Sequence, residues 1–287
     1  MGEGGLLGVP GAILVFALGA CVGSFAGVVA YRLPRELSIV APRSFCARCR
    51  EPLALWANLP LISYIVLRGR CPRCGGEIGF RYFLIEAALA SAAIYLYLQF
   101  PPADALSRFV LCASLLVIGM IDFDWGVIYD GAALTMVPLG FVAAWLLMPE
   151  VGWRSSLIGI IGGITFLFVT RFGYWLIRRK EGVGVGDFYV VAIAGAFLGW
   201  PGAFFTLFFG SLFGSIGGLA IAINGWTLPE EPLSEAIAEV TAARSADSPT
   251  DETSVLQRPI PFGPFLALAA AVYALFQTPL TRWYLAS

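Results

Sequence analysis

Histidine is absent from all 287 residues. That absence excludes His-based triads, His metal ligands and imidazole general bases, and leaves acid–base chemistry to Asp, Glu, Lys, Tyr or Cys. Charge is scarce as well: 13% of the residues are charged and 59% are hydrophobic, against about a quarter charged in soluble domains. With a mean hydropathy of +0.81, the balance excludes a soluble domain carrying one anchor. It implies an integral membrane protein with several spans. No Lys or Arg precedes the first apolar run, which has Glu3 before it and Arg32 and Arg35 after it. A secretory signal has the opposite polarity, so residues 9–31 are expected to be a retained span with its N-terminus outside.

Apolar runs near the roughly 20 residues needed to cross a bilayer occur at 9–31, 82–100, 104–121, 131–149, 155–177, 187–200, 202–223 and 260–280. The expected fold is an all-α polytopic membrane protein with about eight transmembrane helices. The sixth run is short, and only Pro201-Gly202 separates it from the seventh. Of the 18 Lys and Arg residues, 15 fall in or beside segments 32–81, 122–130, 178–186 and 224–259. Those segments are therefore expected to be cytoplasmic. Three parts are expected: a first transmembrane helix at 1–31, a cytoplasmic loop at 32–81, and a transmembrane core at 82–287. Residues 224–259 read as a polar insertion: 232–243 could form a short amphipathic helix, and the rest has a mobile, solvated composition.

The cytoplasmic loop holds Cys46-Ala47-Arg48-Cys49 and Cys71-Pro72-Arg73-Cys74, with 21 residues between the pairs. Two such knuckles supply four thiolates in the tetrahedral set that suits zinc, and disulfides are disfavoured in the cytoplasm. The alternative is a redox or disulfide use. A four-sulfur site has no open position, so the metal is expected to be structural. Cys21 and Cys112 lie in apolar runs and read as small buried hydrophobes. Between the pairs, Asn58 to Tyr64 reads as an amphipathic membrane-surface segment. Leu67-Arg68-Gly69-Arg70 reads as a cationic contact for lipid headgroups.

Acids that border apolar runs are kept there only where they work or are paired. One set is Asp122, Asp124 and Asp130. The other is Asp187, at the end of Gly182-Val183-Gly184-Val185-Gly186. As bland features these are a solvated capping turn, with Asp124 and Asp130 pointing to water, and a flexible connector whose last residue caps a helix. Two spans separate Asp122 from Asp187, which puts both on the cysteine loop's side. A hydrolase without histidine and with a closed metal site would use two carboxylates that share a proton and hold a water. Asp122 and Asp187 are the best pair available. The reading from another class is a transporter whose acids bind ions beside broken helices.

Taken in order, several segments resemble the bacterial type IV prepilin peptidases, the leader peptidases and N-methyltransferases of pili and type II secretion. They are Gly23-Ser24-Phe25, Tyr31-Arg32-Leu33-Pro34, the two cysteine pairs, Asn58-Leu59-Pro60, Leu67-Arg68-Gly69-Arg70-Cys71 and Arg81-Tyr82 through Glu86. Ile121-Asp122, Gly184-Val185-Gly186-Asp187, Ala194 to Trp200 and Pro261 to Leu266 complete the set. The resemblance implies a membrane aspartic endopeptidase with Asp122 and Asp187 as catalytic aspartates. It would cut prepilins or pseudopilins after a glycine in the basic leader, at the cytoplasmic face of the inner membrane. The resemblance also implies N-methylation of the new N-terminus with S-adenosylmethionine. Gly69 matches a glycine tied to that activity, and Glu86 matches a further family position, where a hydrated interfacial glutamate is the plain alternative. The expected partners are these substrates and the lipid bilayer, with no nucleic acid. The chain departs from the family pattern at Phe83, Tyr129 and Tyr189, where Pro, Pro and Lys are usual. Peptidase activity alone, without methyl transfer, is the reading nearest to this one.

Overall fold

A computed structural model describes residues 8–46, 48–126, 128, 130–179, 184–224 and 262–285. The insertion at 224–259, Tyr129, Gly182 and Val183 therefore lie almost wholly outside the described residues. The long elements are all helices: α1 Gly8–Arg32, α3 Phe80–Gln99, α4 Pro102–Trp125, α5 Asp130–Leu146, α6 Gly152–Arg178, α7 Val185–Asn224 and α8 Gly263–Leu285. A short helix, α2 (Ile62–Val66), sits in the loop between α1 and α3. Five of the long helices are apolar and long enough to cross a bilayer. In hydrocarbon only helices or closed barrels satisfy every backbone group, so the chain is a multi-pass helical membrane protein.

Helix α4 is the seam of the bundle. Leu111, Leu115 and Ile118 repeat at helical spacing on its buried side and join a core with α5, α6, α7 and α8. Phe109, Ala113, Leu116 and Met120 turn the other way, toward Ala26 of α1 and Ile85 and Leu89 of α3. Without a hydrophobic drive between helices in lipid, close contact does the work. At Gly23 a Cβ atom would lie 2.6 Å from the Glu86 Cα, so α1 and α3 approach only because that side chain is missing. Large apolar side chains such as Ile161, Phe168, Val169 and Leu176 stay exposed on α6, as a lipid-facing surface requires.

The sixth and seventh apolar runs are one helix element broken at Gly199, whose φ of 71° and ψ of −171° fall outside the helical region. The break reverses the chain. Asp187 begins the first arm. In the second arm Phe205 packs on Tyr273 at 5.1 Å, and a Cβ at Gly214 would meet Phe262. Phe262, just before α8, lies beside the acid end of the bundle, and Tyr273 within α8 lies near Arg108 at the other. The second arm therefore returns toward Asp187. The first arm is buried on every side: Val190, Val191, Ile193, Ala194 and Ala196 are each 0% exposed. An all-round apolar helix belongs inside a bundle, which is why the sixth run can be short.

Arg108 is also fully buried. It donates to Asp104 at 2.7 Å and to the Ala274 carbonyl at 3.0 Å, and marks the bundle end opposite the acids. One cysteine departs from expectation: Cys112 is buried, but Cys21 is exposed on the surface of α1. A thiol tolerates a lipid-facing position as an apolar group does.

Candidate active site

Asp122 occupies the last turn of α4 and Asp187 the first turn of α7. Each is 7% exposed. Their carboxylates are close enough for Asp122 to act electrostatically on Asp187. Different backbone donors hold the two. The Gly263 N–H donates to Asp122, and the Gly184 N–H donates to Asp187 at 3.2 Å.

Ile128 wedges the assembly together. A Cβ at Gly186 would meet the Ile128 side chain at 2.7 Å, and one at Gly263 would meet it at 3.3 Å and strike the Asp122 carboxylate. Both glycines are therefore needed for close approach, one beside each acid. The Gly-x-Gly-Asp run was legible as a bend. Its service as a seat for Ile128 was not, nor was the Gly263 donor, whose only trace is the Pro261 to Leu266 segment. Asp124 does not point freely to water as a solvated turn would. Arg81, at the start of α3, places one guanidinium nitrogen 2.7 Å from both of its oxygens. Arg35 lies over Trp125 at 4.9 Å. These contacts put the cysteine loop and both acids at the same end of the bundle. The side chain of Asp130 lies outside the described set.

The four loop cysteines converge, with their sulfurs all within 4.8 Å of one another. Cys46 and Cys74 sulfurs are 3.8 Å apart, close to the roughly 3.8 Å that ~2.3 Å bonds in a zinc tetrahedron impose. The two knuckles are local copies of each other. Arg50 N–H donates to the Cys46 carbonyl and Cys46 N–H to the Glu51 carbonyl. Likewise Gly75 N–H donates to the Cys71 carbonyl and Cys71 N–H to the Gly76 carbonyl. Arg50 and Gly75 both take left-handed φ, 57° and 66°. Backbone N–H groups of Cys74 and Arg73 hold the Cys71 thiol down to about 7, whereas desolvation and the neighbouring thiols push Cys49 up to about 11. Donor set and spacing both fit structural zinc.

Residues 17–100 match the bacterial peptidase A24 N-terminal domain, and residues 109–219 match the type IV leader peptidase family. A prepilin leader peptidase/N-methyltransferase of Burkholderia pseudomallei strain 1026b is 34% identical over 297 residues, covering 93% of this chain and 86% of its own. The chain belongs to the type IV leader peptidase family. Relatives of the same name include that of Pseudomonas aeruginosa, 31% identical with 93% and 91% covered. In Myxococcus xanthus the identity is 35%, with 74% and 63% covered. No solved structure matches.

Within this family member, two of the unusual residues have clear places. Phe83 stacks on Phe80 at 5.6 Å and meets Tyr64 at 5.1 Å. Tyr189 packs against the central core. Tyr129 is outside the described residues. Glu86 is not a merely hydrated carboxylate: it accepts the Leu61 N–H at 2.7 Å. Leu61 has φ 61°, a conformation costly for a branched apolar residue, and Glu86 anchors it. Gly69, with φ +67°, backs directly on the Tyr64 ring.

Proposed function

We propose that this protein removes the leader from type IV prepilins and pseudopilins at the cytoplasmic face of the inner membrane, with its N-terminus outside and Asp122 and Asp187 as the catalytic pair. The observation that carries this is two shielded carboxylates, brought from two helix ends to either side of Ile128 and each held by its own backbone N–H. A water held between them loses a proton to one carboxylate as its oxygen attacks the scissile carbonyl. The other aspartate, protonated as a carboxylic acid, gives its proton to the departing amine. Placement at helix ends fits a cut at the membrane surface. An ion-coupled transporter would place its acids near mid-bilayer.

The zinc-bearing loop, 32–81, serves the second reaction, N-methylation of the new N-terminal residue. S-adenosylmethionine supplies the methyl group. Residues 82–287 form the peptidase core. Arginine enrichment of the loop, including Arg35, Arg43, Arg48, Arg68 and Arg70, suits a cytoplasmic surface beside anionic lipid. Co-expression with a prepilin followed by mass spectrometry of the pilin N-terminus tests both steps. Leader loss with one added methyl is expected. An intact leader contradicts the first step, and a trimmed but unmethylated amine contradicts the second.

A further inference from the structure

A cavity of about 290 Å³ lies between α1, α3 and the cysteine loop, apart from the two aspartates. Its size is at the lower end of the roughly 300–1,000 Å³ of small-molecule sites. Aromatic rings come from all three sides: Tyr31 from α1, Phe45 and Tyr64 from the loop, Tyr82 and Phe83 from α3. Two carboxylates, Glu77 and Glu86, and two guanidinium groups, Arg32 and Arg48, also reach it. Arg32 is committed: it donates to the carbonyls of Ser38, Pro42 and Arg43 and lies over Phe45 at 5.7 Å. Among the described residues Arg48 has no ion-pair partner, which leaves it as the cation available to a ligand.

This lining has a specific chemistry. Aromatic faces attract cations and stack on planar rings. A carboxylate pairs with an ammonium or sulfonium group, and a free guanidinium pairs with a carboxylate. A ligand that uses all of these carries a heteroaromatic base, a sulfonium centre and an amino-acid head. We propose that the cavity is the S-adenosylmethionine site, with Tyr64 as one wall and the half-buried Glu86 as the acceptor for the ligand's ammonium group. The proposal rests on the methyltransferase reading above and names the residues that serve it.

The same geometry gives Gly69 a role. Gly69 does not line the cavity; it stands behind Tyr64. A Cβ there would lie 2.8 Å from the Tyr64 hydroxyl oxygen and 2.9 Å from the ring carbon that bears it. The backbone at Gly69 has little freedom to retreat. Its N–H donates to the Tyr64 carbonyl at 2.9 Å, and its own carbonyl accepts the Ile78 N–H at 2.7 Å. A side chain at position 69 therefore drives the Tyr64 ring, which is the element able to yield. Gly69 is a positioning residue that keeps a wall of the cavity in place.

The test is equilibrium binding of S-adenosylhomocysteine to the full-length protein in nanodiscs. It is paired with ultraviolet crosslinking of radiolabelled S-adenosylmethionine and peptide mapping. The wild type should bind saturably and crosslink on α1, α3 or the loop at the named aromatic residues. Glu86→Gln and Gly69→Ala should each weaken binding at least tenfold while zinc content stays at the wild-type level, which shows that the loop has folded. The double variant Gly69→Ala/Tyr64→Ala should bind as Tyr64→Ala alone does, because the Gly69 effect passes through that ring. Additive losses overturn the role given to Gly69. A wild type that methylates but crosslinks elsewhere, or variants that bind normally, overturn the cavity assignment and leave methyl transfer standing. A wild type that neither binds nor methylates removes the methyltransferase reading and the site with it.

Discussion

Arg81 and Asp124 tie the two halves of the protein together: one guanidinium nitrogen of Arg81 lies 2.7 Å from each Asp124 oxygen. Arg81 opens the helix that follows the zinc loop, and Asp124 lies two residues beyond Asp122. The pair is partly exposed, at 44% and 29%, so it is worth about 1 kcal/mol or less. Arg81→Ala and Asp124→Ala should each slow leader cleavage by no more than about fivefold. The double variant should be no worse than the worse single one, as expected for two partners in one interaction. A double-mutant cycle on cleavage rates in nanodiscs checks this.

Gly263 controls the position of Asp122. A methyl group at this site would strike the Asp122 carboxylate and crowd Ile128. Gly263→Ala should lower the cleavage rate on the order of 10²-fold, the scale of a displacement of about 1 Å in a reacting group. Membrane insertion and zinc content should be unchanged. Quantitative processing assays with a prepilin substrate supply the measurement.

Gly199 makes the reversal inside α7. Its φ of 71° and ψ of −171° belong to a region open essentially to glycine alone, and other residues pay about 1–3 kcal/mol there. A Cβ would also collide with the Ser155 hydroxyl. Gly199→Ala should therefore cost at least that range in stability, read as an earlier midpoint in denaturant titration of the reconstituted protein.

The four clustered cysteine sulfurs should hold about one equivalent of zinc, measured by elemental analysis. Cys46→Ser/Cys49→Ser should lose it. Because Cys46 and Cys71 also line the cavity beside Tyr64 and Glu86, the same change should abolish methyl-donor binding. Retained binding without metal would separate the cavity from the zinc site.

The sequence made some of this legible and hid the rest for physical reasons. Apolar runs near bilayer length exposed the helices directly, and Cys-x-x-Cys pairs carry their sulfur geometry in the spacing. Counting spans placed Asp122, Asp187 and the cysteine loop together, and the structure assembles them at one end. The short sixth run was harder, because a fully enclosed arm needs no lipid-matched length; its burial from Val190 to Leu198 shows why. Contacts across great sequence distance left little trace. Arg81 with Asp124, Gly263 with Asp122 and Leu61 with Glu86 each join separate elements, and no periodicity announces them. Cys21 misled because apolar surroundings in sequence mean core in a soluble protein but lipid in this one.

The central claim is that Asp122 and Asp187 together hydrolyse the leader bond. Its most direct test is the cleavage rate of a prepilin by purified Asp122→Asn and Asp187→Asn, each nearly isosteric with the wild type and checked for insertion and zinc content. Each variant should lose leader removal entirely, and the double variant should show no further loss. Wild-type processing by either single variant would contradict the pair.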